Sequence, residues 1–394
     1  MNNYLLFTPG PVNVADNVRQ AVAKEDICHR EVEFDQLLQS IESKLLKIFR
    51  VKQADYRAVV ITGSGTAANE SMLSSVVGDK NILIITNGEF GERLVDISTI
   101  HNKNTFRLDF PWGEELDIDK ISDYLKRNKI DVVAMVHHET SSGMLNSIEK
   151  VGAVVNKHNI LFIVDGVSSA GAEEIDMKKC HIDFFSSSSS KAMNSYSGLS
   201  FILGKVEEFE KLKKLPVKTM YLNLYKFYYF IKTFYQTPNT PAVHLFFALE
   251  QALANLLNEG VANRHALLKA RATRLRKGMT KLGLKFLIAE KNMCSVLTTV
   301  YIPRNINVGS FRQKLREKSI IIYEGKGCFK NKVFQVGNIG ELSANDIRYF
   351  LSSLTDVLEN FNSIEKSNLL PTPAAFISVS PFTKKLSPTK LSIA

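Results

Sequence analysis

Five short apolar runs, each closed by a polar turn, restrict this chain more than any other feature. Residues 58–61 lead into Gly63-Ser64-Gly65-Thr66, and 82–85 into Asn87-Gly88. Residues 132–136 lead into His137-His138-Glu139-Thr140, and 160–164 into Asp165-Gly166. Residues 182–185 lead into five serines and Lys191. Unbroken rather than alternating apolar runs suit strands covered on both faces. Helix-like stretches separate the runs, so the pattern predicts an α/β fold with a mainly parallel sheet. In such sheets ligands collect beyond the carboxyl ends of the strands, which is where these polar residues fall.

A helix is expected from 262 to 276, bridging to a second region. There 296–301 and 320–323 read as strands, and 311–318 and 344–358 as helices. The expected organisation is a large domain over 1–261, whose N-terminal segment can pack on a smaller α+β domain over 262–366. Residues 367–394, rich in Ser, Pro, Thr and Lys, are expected to form a loose tail.

With 394 residues, 45% of them hydrophobic, the chain can bury a core without disulfides or metals. Its net charge of +10 is scattered, so a solvated basic surface is expected and no nucleic-acid partner. A small anionic substrate is compatible with that charge. Cys28, Cys180, Cys294 and Cys328 show no CxxC spacing and read as reduced thiols of a cytoplasmic protein. No secretory leader is expected from residues 1–7, which carry no basic segment or long apolar run. No run approaches the roughly 18 apolar residues of a membrane span. The aromatic stretch 227–235 is interrupted by Lys232 and reads as a core or interface segment.

Three places carry chemistry. Ser64-Gly65-Thr66, between a strand and a helix, offers free N–H groups and hydroxyls to an anion; the plain alternative is a helix cap. Asp165 ends a strand, where it is either a turn cap or the partner of a protonated ring nitrogen. Lys191 follows the serine run, either as a surface lysine or as a Schiff-base lysine, which needs a lowered pKa. A metal site at His137, His138 and Glu139 is disfavoured, because neighbours on extended backbone point to opposite faces, and no other metal site is expected.

Other segments extend the pattern: Leu6-Phe7-Thr8-Pro9-Gly10-Pro11, Ile27-Cys28-His29-Arg30-Glu31, Asn87-Gly88-Glu89-Phe90-Gly91-Glu92-Arg93, His138-Glu139-Thr140-Ser141-Ser142-Gly143, Asp165-Gly166-Val167-Ser168-Ser169, Thr237-Pro238-Asn239-Thr240-Pro241 and Val336-Gly337-Asn338-Ile339-Gly340. With these, the chain from Leu5 to Leu358 resembles the class V aminotransferases of the pyridoxal-phosphate (PLP) fold type I, most closely the branch that acts on 2-aminoethylphosphonate and pyruvate. The resemblance implies PLP as cofactor, with Lys191 holding it and moving the proton at the substrate carbon. Asp165 would pair with the pyridinium nitrogen. Phe90 and Val167 would cover the two ring faces, and Thr140 would bond near the ring hydroxyl. Ser64, Gly65, Thr66 and Ser190 would hold the phosphate, joined by Thr237 and Thr240 of the partner subunit in a homodimer.

Two departures concern the substrate. The family commonly has an Arg two residues before a late Gly; here the segment is Gln335-Val336-Gly337, and a neutral amide cannot copy a bidentate, charge-assisted pair. The family's Gly-Val-Pro-Gly after the lysine is Ser195-Tyr196-Ser197-Gly198. Arg30 is the preferred replacement cation, with Lys326 and Lys330 as alternatives, and Gln335 remains a candidate substrate residue. The expected function is transfer of an amino group from 2-aminoethylphosphonate or a similar small anionic amine to a 2-oxo acid, pyruvate. A PLP-dependent lyase, a transaminase with another substrate, and a non-catalytic binding protein are the alternatives.

Overall fold

The computed structural model describes residues 4–368. Seven strands form the central sheet: β1 (Tyr56–Thr62), β2 (Ile82–Thr86), β3 (Thr105–Asp109), β4 (Val132–Val136), β5 (Leu161–Asp165), β6 (Phe184–Ser188) and β7 (Leu199–Lys205). Their spatial order is β1-β7-β6-β5-β4-β2-β3. Every pairing among β3, β2, β4, β5 and β6 is parallel; β7 alone runs against its neighbours. The five apolar runs supply β1, β2, β4, β5 and β6, and nearly every side chain of those strands is buried. Each fully buried Val, Leu, Ile or Phe contributes about 1.5–3 kcal/mol relative to an exposed one. This is the expected α/β fold with a mainly parallel sheet.

The outcome differs from expectation at three places. β6 begins at Phe184 and takes in Ser186, Ser187 and Ser188, so half of the serine run is strand. Ser186 Oγ donates to Asn69 Oδ1 of the neighbouring helix, whereas the buried hydroxyls of Ser187 and Ser188 have no partner among the described residues. β3 was hidden because it is an edge strand, with Phe106 and Arg107 exposed. The run expected as one strand at 320–323 splits. Ile320–Ile321 pairs with Leu5–Leu6, while Tyr323–Glu324 joins Val333–Gly337 in a second, three-stranded sheet with Leu297–Tyr301.

A second hydrophobic cluster surrounds that sheet, including Phe311, Phe334, Val336 and Phe350. Phe7 belongs to it and stacks on Phe350 at 4.4 Å between ring centroids. Gly337 donates its N–H to Phe7 O, and an added Cβ at Gly337 would lie 2.2 Å from Thr8 O. Only glycine lets the two backbones pass so closely.

The bridging helix runs over Val261–Lys281 and the last helix over Ala344–Asn368, both longer than expected. Of the expected tail, 369–394 lies outside the described residues. The aromatic stretch forms most of helix Leu224–Phe234, started by Asn223, whose side chain accepts from Lys226 N. Among the described residues no helix is long and apolar enough to cross a membrane.

Candidate active site

Asp165, 4% exposed, sits at the carboxyl end of β5. Its Oδ1 accepts from Val167 N at 2.8 Å and its Oδ2 from Asn69 Nδ2 at 2.6 Å. Asn69 stands on helix Gly65–Val76, one turn beyond Gly65. Burial raises the Asp165 pKa against these two bonds and the charges of Lys191 and Arg93. Among the described residues it forms no ion pair. A buried carboxylate held by two donors and lacking a cation fits the protonated nitrogen of a pyridine ring.

The helix start lies beside it. Ser64 is extended and its side chain caps nothing, so the first N–H groups of the helix face outward, towards an anion. An added Cβ at Gly65 would lie 2.7 Å from Val167, so glycine is needed where these two segments pack. Ser190 is partly buried next to Lys191, and the preceding Ser189 is turned away, with its hydroxyl donating to Leu199 O and Tyr196 O. Phosphate at the helix start and ring nitrogen at Asp165 would thus span residues that the sheet brings together.

Lys191 is partly buried, and Gly10 lies against its aliphatic stem: an added Cβ there would sit 3.0 Å from Lys191 Cδ. Burial lowers the amine's pKa to about 8, helped by the charges of Lys326 and Arg93 and opposed by Asp165. A nucleophilic lysine needs such a shift.

Thr140 Oγ1 donates to Ser168 Oγ at 2.6 Å, on the turn after Asp165. Phe90 opens helix Glu89–His101. Glu139, 0% exposed, joins these two residues: its carboxylate accepts from Phe90 N, Gly91 N and both Ser141 N and Oγ. His137 and His138 point elsewhere, to Ser169 Oγ and Ser168 O, and burial lowers their pKa values to about 3 and about 4. Both imidazoles are neutral at pH 7.

Gln335, 1% exposed, lies in the middle of strand Val333–Gly337. Its Nε2 donates to Thr140 O at 2.7 Å, to Ser141 O at 3.2 Å and to Thr299 Oγ1 at 3.2 Å. Its amide therefore ties the second sheet to the Thr140 turn. Arg30 is exposed and donates to Thr237 O and Gln236 Oε1. Thr237 Oγ1 turns to Asn239 O, and Thr240 is exposed. No hydrogen bond links Arg30, Thr237 or Thr240 to Lys191 or Asp165 within this chain.

Asn69 carried no expected role, and Arg93, Glu139 and Ser168 were quoted only within longer motifs, Glu139 also in the disfavoured metal reading. Asn69 had a signal, being one helical turn beyond the glycine of the anion-binding turn. Glu139 had none, since only the fold brings it to the start of another helix.

The class V aminotransferase family model matches residues 15–342, and the chain belongs to that family. It is 35% identical over 343 residues to an uncharacterised aminotransferase of Methanocaldococcus jannaschii, covering 85% of this chain and 88% of that one. It is 32% identical to the 2-aminoethylphosphonate–pyruvate transaminase of Lysinibacillus sphaericus, covering 93% of this chain and 100% of that one. The crystal structure of alanine–glyoxylate aminotransferase from Nostoc sp. superposes with a TM-score of 0.86 at 27% identity, over 91% of this chain and 96% of that one.

Proposed function

We propose that the chain is a PLP-dependent transaminase that moves the amino group of 2-aminoethylphosphonate, or a similar small anionic amine, to pyruvate. The observation that carries this reading is the buried, cation-free Asp165 carboxylate facing the same cleft as Lys191, whose amine has a pKa of about 8. The similarity to the Lysinibacillus sphaericus enzyme supports the choice of amine and acceptor.

PLP, when bound, supplies an electron-accepting ring that stabilises negative charge at the substrate carbon bearing the amine. The chain's residues set up that chemistry. Asp165 holds a proton on the ring nitrogen, and Asn69 and Val167 N fix the carboxylate's orientation. Lys191 Nζ would hold the cofactor and, once released by the substrate, would carry the proton from the substrate carbon to the cofactor. Ser64, Gly65, Thr66 and Ser190 would hold the phosphate, Phe90 and Val167 would cover the ring, and Thr140 would bond near its hydroxyl. Gln335 contributes by fixing the Thr140 turn, and Arg30 by fixing the Thr237 segment.

The reading takes 1–261 as a large cofactor domain and 262–366 as a smaller one, supported by one hydrophobic cluster within the first and another centred on the second, with a third packing the two together. It takes the enzyme to be a cytoplasmic homodimer, each site completed by Thr237 and Thr240 of the partner subunit. The aromatic face of helix Leu224–Phe234, with Tyr229 45% and Phe234 46% exposed, supports a protein contact there.

Borohydride reduction of the holoenzyme, followed by peptide mass spectrometry, tests the assignment. The label is expected on Lys191; a label on another lysine, or none, refutes it. Conversion of the cofactor absorbance by 2-aminoethylphosphonate, reversed by pyruvate, tests the substrates.

A further inference from the structure

An amine that carries a phosphonate brings up to two negative charges into the cleft, and Gln335 cannot meet them. Its amide is neutral, and both carbonyls of the Thr140 turn already occupy its Nε2. Arg30 is exposed and directs Nη1 of its guanidinium to Thr237 O and Gln236 Oε1, which turns it to the Thr237 segment. Lys330 is exposed on its loop. Two other cations are placed differently. Arg93 lies 4.7 Å from the centroid of the Phe90 ring, and Lys326 Nζ lies 5.0 Å from the same ring. They come from different elements, Arg93 from helix Glu89–His101 and Lys326 from the loop before strand Val333–Gly337.

Three contacts fix this meeting of cations. Both approach Glu89, Arg93 at 3.2 Å and Lys326 at 3.8 Å. Phe329, three residues beyond Lys326, packs edge-on against Trp112 at 5.9 Å, and Gly327 abuts the same ring closely enough that an added Cβ would lie 2.5 Å from it. Trp112 Nε1 in turn donates to Glu92 Oε1, on the helix that carries Arg93. The loop bearing Lys326 is therefore anchored to the helix bearing Arg93. The electrostatics agree on direction: Lys326 and Arg93 both lower the pKa of Lys191, and Arg93 also acts on Asp165.

Two cations share one carboxylate, Glu89, while the nearby Glu92 is turned to Trp112 Nε1. Arg93 is 37% and Lys326 43% exposed on the side-chain scale, open enough to receive a ligand. We infer that Arg93 and Lys326, which meet beside Phe90 and Glu89, form the receptor for the substrate's phosphonate or an equivalent dianionic acid group, in place of the arginine that Gln335 replaces. The inference deepens the transaminase reading and rests on it for the location of the reacting carbon. Arg93 offers a planar fork to two oxygens, and Lys326 supplies a point charge to the third. A dianion gains from both, whereas a monocarboxylate needs only one, so the receptor selects by charge.

The test uses the holoenzyme and methylphosphonate, a non-reacting dianion, with acetate as the monoanion. Binding is measured calorimetrically at fixed ionic strength for the wild type and for Lys326→Ala, Arg93→Gln and Lys332→Ala. Loss of one charge-assisted partner is expected to weaken methylphosphonate about 10- to 100-fold in Lys326→Ala and Arg93→Gln. Acetate should weaken less. Lys332→Ala removes the same charge from the same loop and should leave binding within about twofold, since exposed charges are screened. Unchanged methylphosphonate binding in Lys326→Ala, or equal weakening in Lys332→Ala, overturns the receptor. Should Arg93→Gln misfold, Lys326→Ala alone decides. The borohydride label on Lys191 reports the transaminase reading separately, so each can fail without the other.

Discussion

Asp165 and Gln335 are both almost fully buried, and both are held by hydrogen bonds, Asp165 through its two oxygens and Gln335 through Nε2, yet they serve the cleft in different ways. Asp165 is oriented by its own turn and by a helix that packs on the same sheet. Its bonds leave a charge in need of a cation. Gln335 reaches out of the second sheet to the backbone of the Thr140 turn. Its bonds use the amide nitrogen, and the group carries no charge. The Asp165 end of the cleft is thus poised for a ligand, whereas at the Gln335 end the same kind of burial has become structural. The work of holding an acid group passes to side chains at the cleft's rim, where one carboxylate is shared between two cations.

The sharpest way to break this comparison is to neutralise the poised end. Asp165→Asn keeps the shape and can retain the bond from Val167 N, but it removes the charge that holds a proton on the ring nitrogen. Turnover is expected to fall about 10²–10⁴-fold, the range of a lost proton-transfer contribution, while cofactor absorbance persists. Undiminished turnover would mean that the carboxylate only caps its turn.

A second test addresses Lys191. Its pKa is lowered to about 8, so the amine loses its proton, and becomes nucleophilic, as pH rises through that value. At pH 7 roughly one molecule in ten is neutral, against fewer than about one in a thousand for an unperturbed lysine. The rate of cofactor uptake by the apoprotein should therefore climb close to tenfold per pH unit below about pH 8 and then level off. A rate that keeps climbing past pH 9.5 would show that burial and the two neighbouring cations do not tune this amine.

The two ends also differ in how far the sequence disclosed them. β5 and Asp165 were legible because an unbroken apolar run can only be a doubly covered strand, and the residue that closes it lies at the ligand-bearing edge. The Ser64-Gly65-Thr66 turn was legible for the same reason. Asn69 and Glu139 were not, because each acts across elements: Asn69 bonds a residue 96 positions away and Glu139 the start of a helix 48 positions back. Gln335 was legible as a departure, but its consequence was not. Sequence gave its neutrality, and only the register of Gln335 opposite Thr299 and Tyr323, with Thr140 beyond, showed where the amide goes. The arginine favoured beforehand, Arg30, was chosen for its chemistry. In the fold it serves the Thr237 segment, while Arg93, inside a motif already in view, meets Lys326 over Phe90.

The mildest expected effect comes from restoring the family residue. Gln335→Arg places a guanidinium where a buried amide already satisfies two carbonyls. Its extra atoms must fit between Thr299 and the Thr140 turn, a space tight enough that an added Cβ at Gly143 would lie 3.1 Å from Thr299 Oγ1. Overpacking of this kind costs about 1–3 kcal/mol, which urea denaturation would register as a lower midpoint with an unchanged slope. The donors lost with the amide are replaced by those of the guanidinium, so the Thr140 turn stays held and the cofactor stays bound. If Arg93 and Lys326 receive the acid group, the KM for 2-aminoethylphosphonate should move by less than about threefold, under the 1.4 kcal/mol of a tenfold change. A drop of tenfold or more would mean that the buried end can still be made to hold an acid, and that its neutrality in this chain is a choice of substrate. The two ends would then differ by one residue, and the rim cations would be auxiliary.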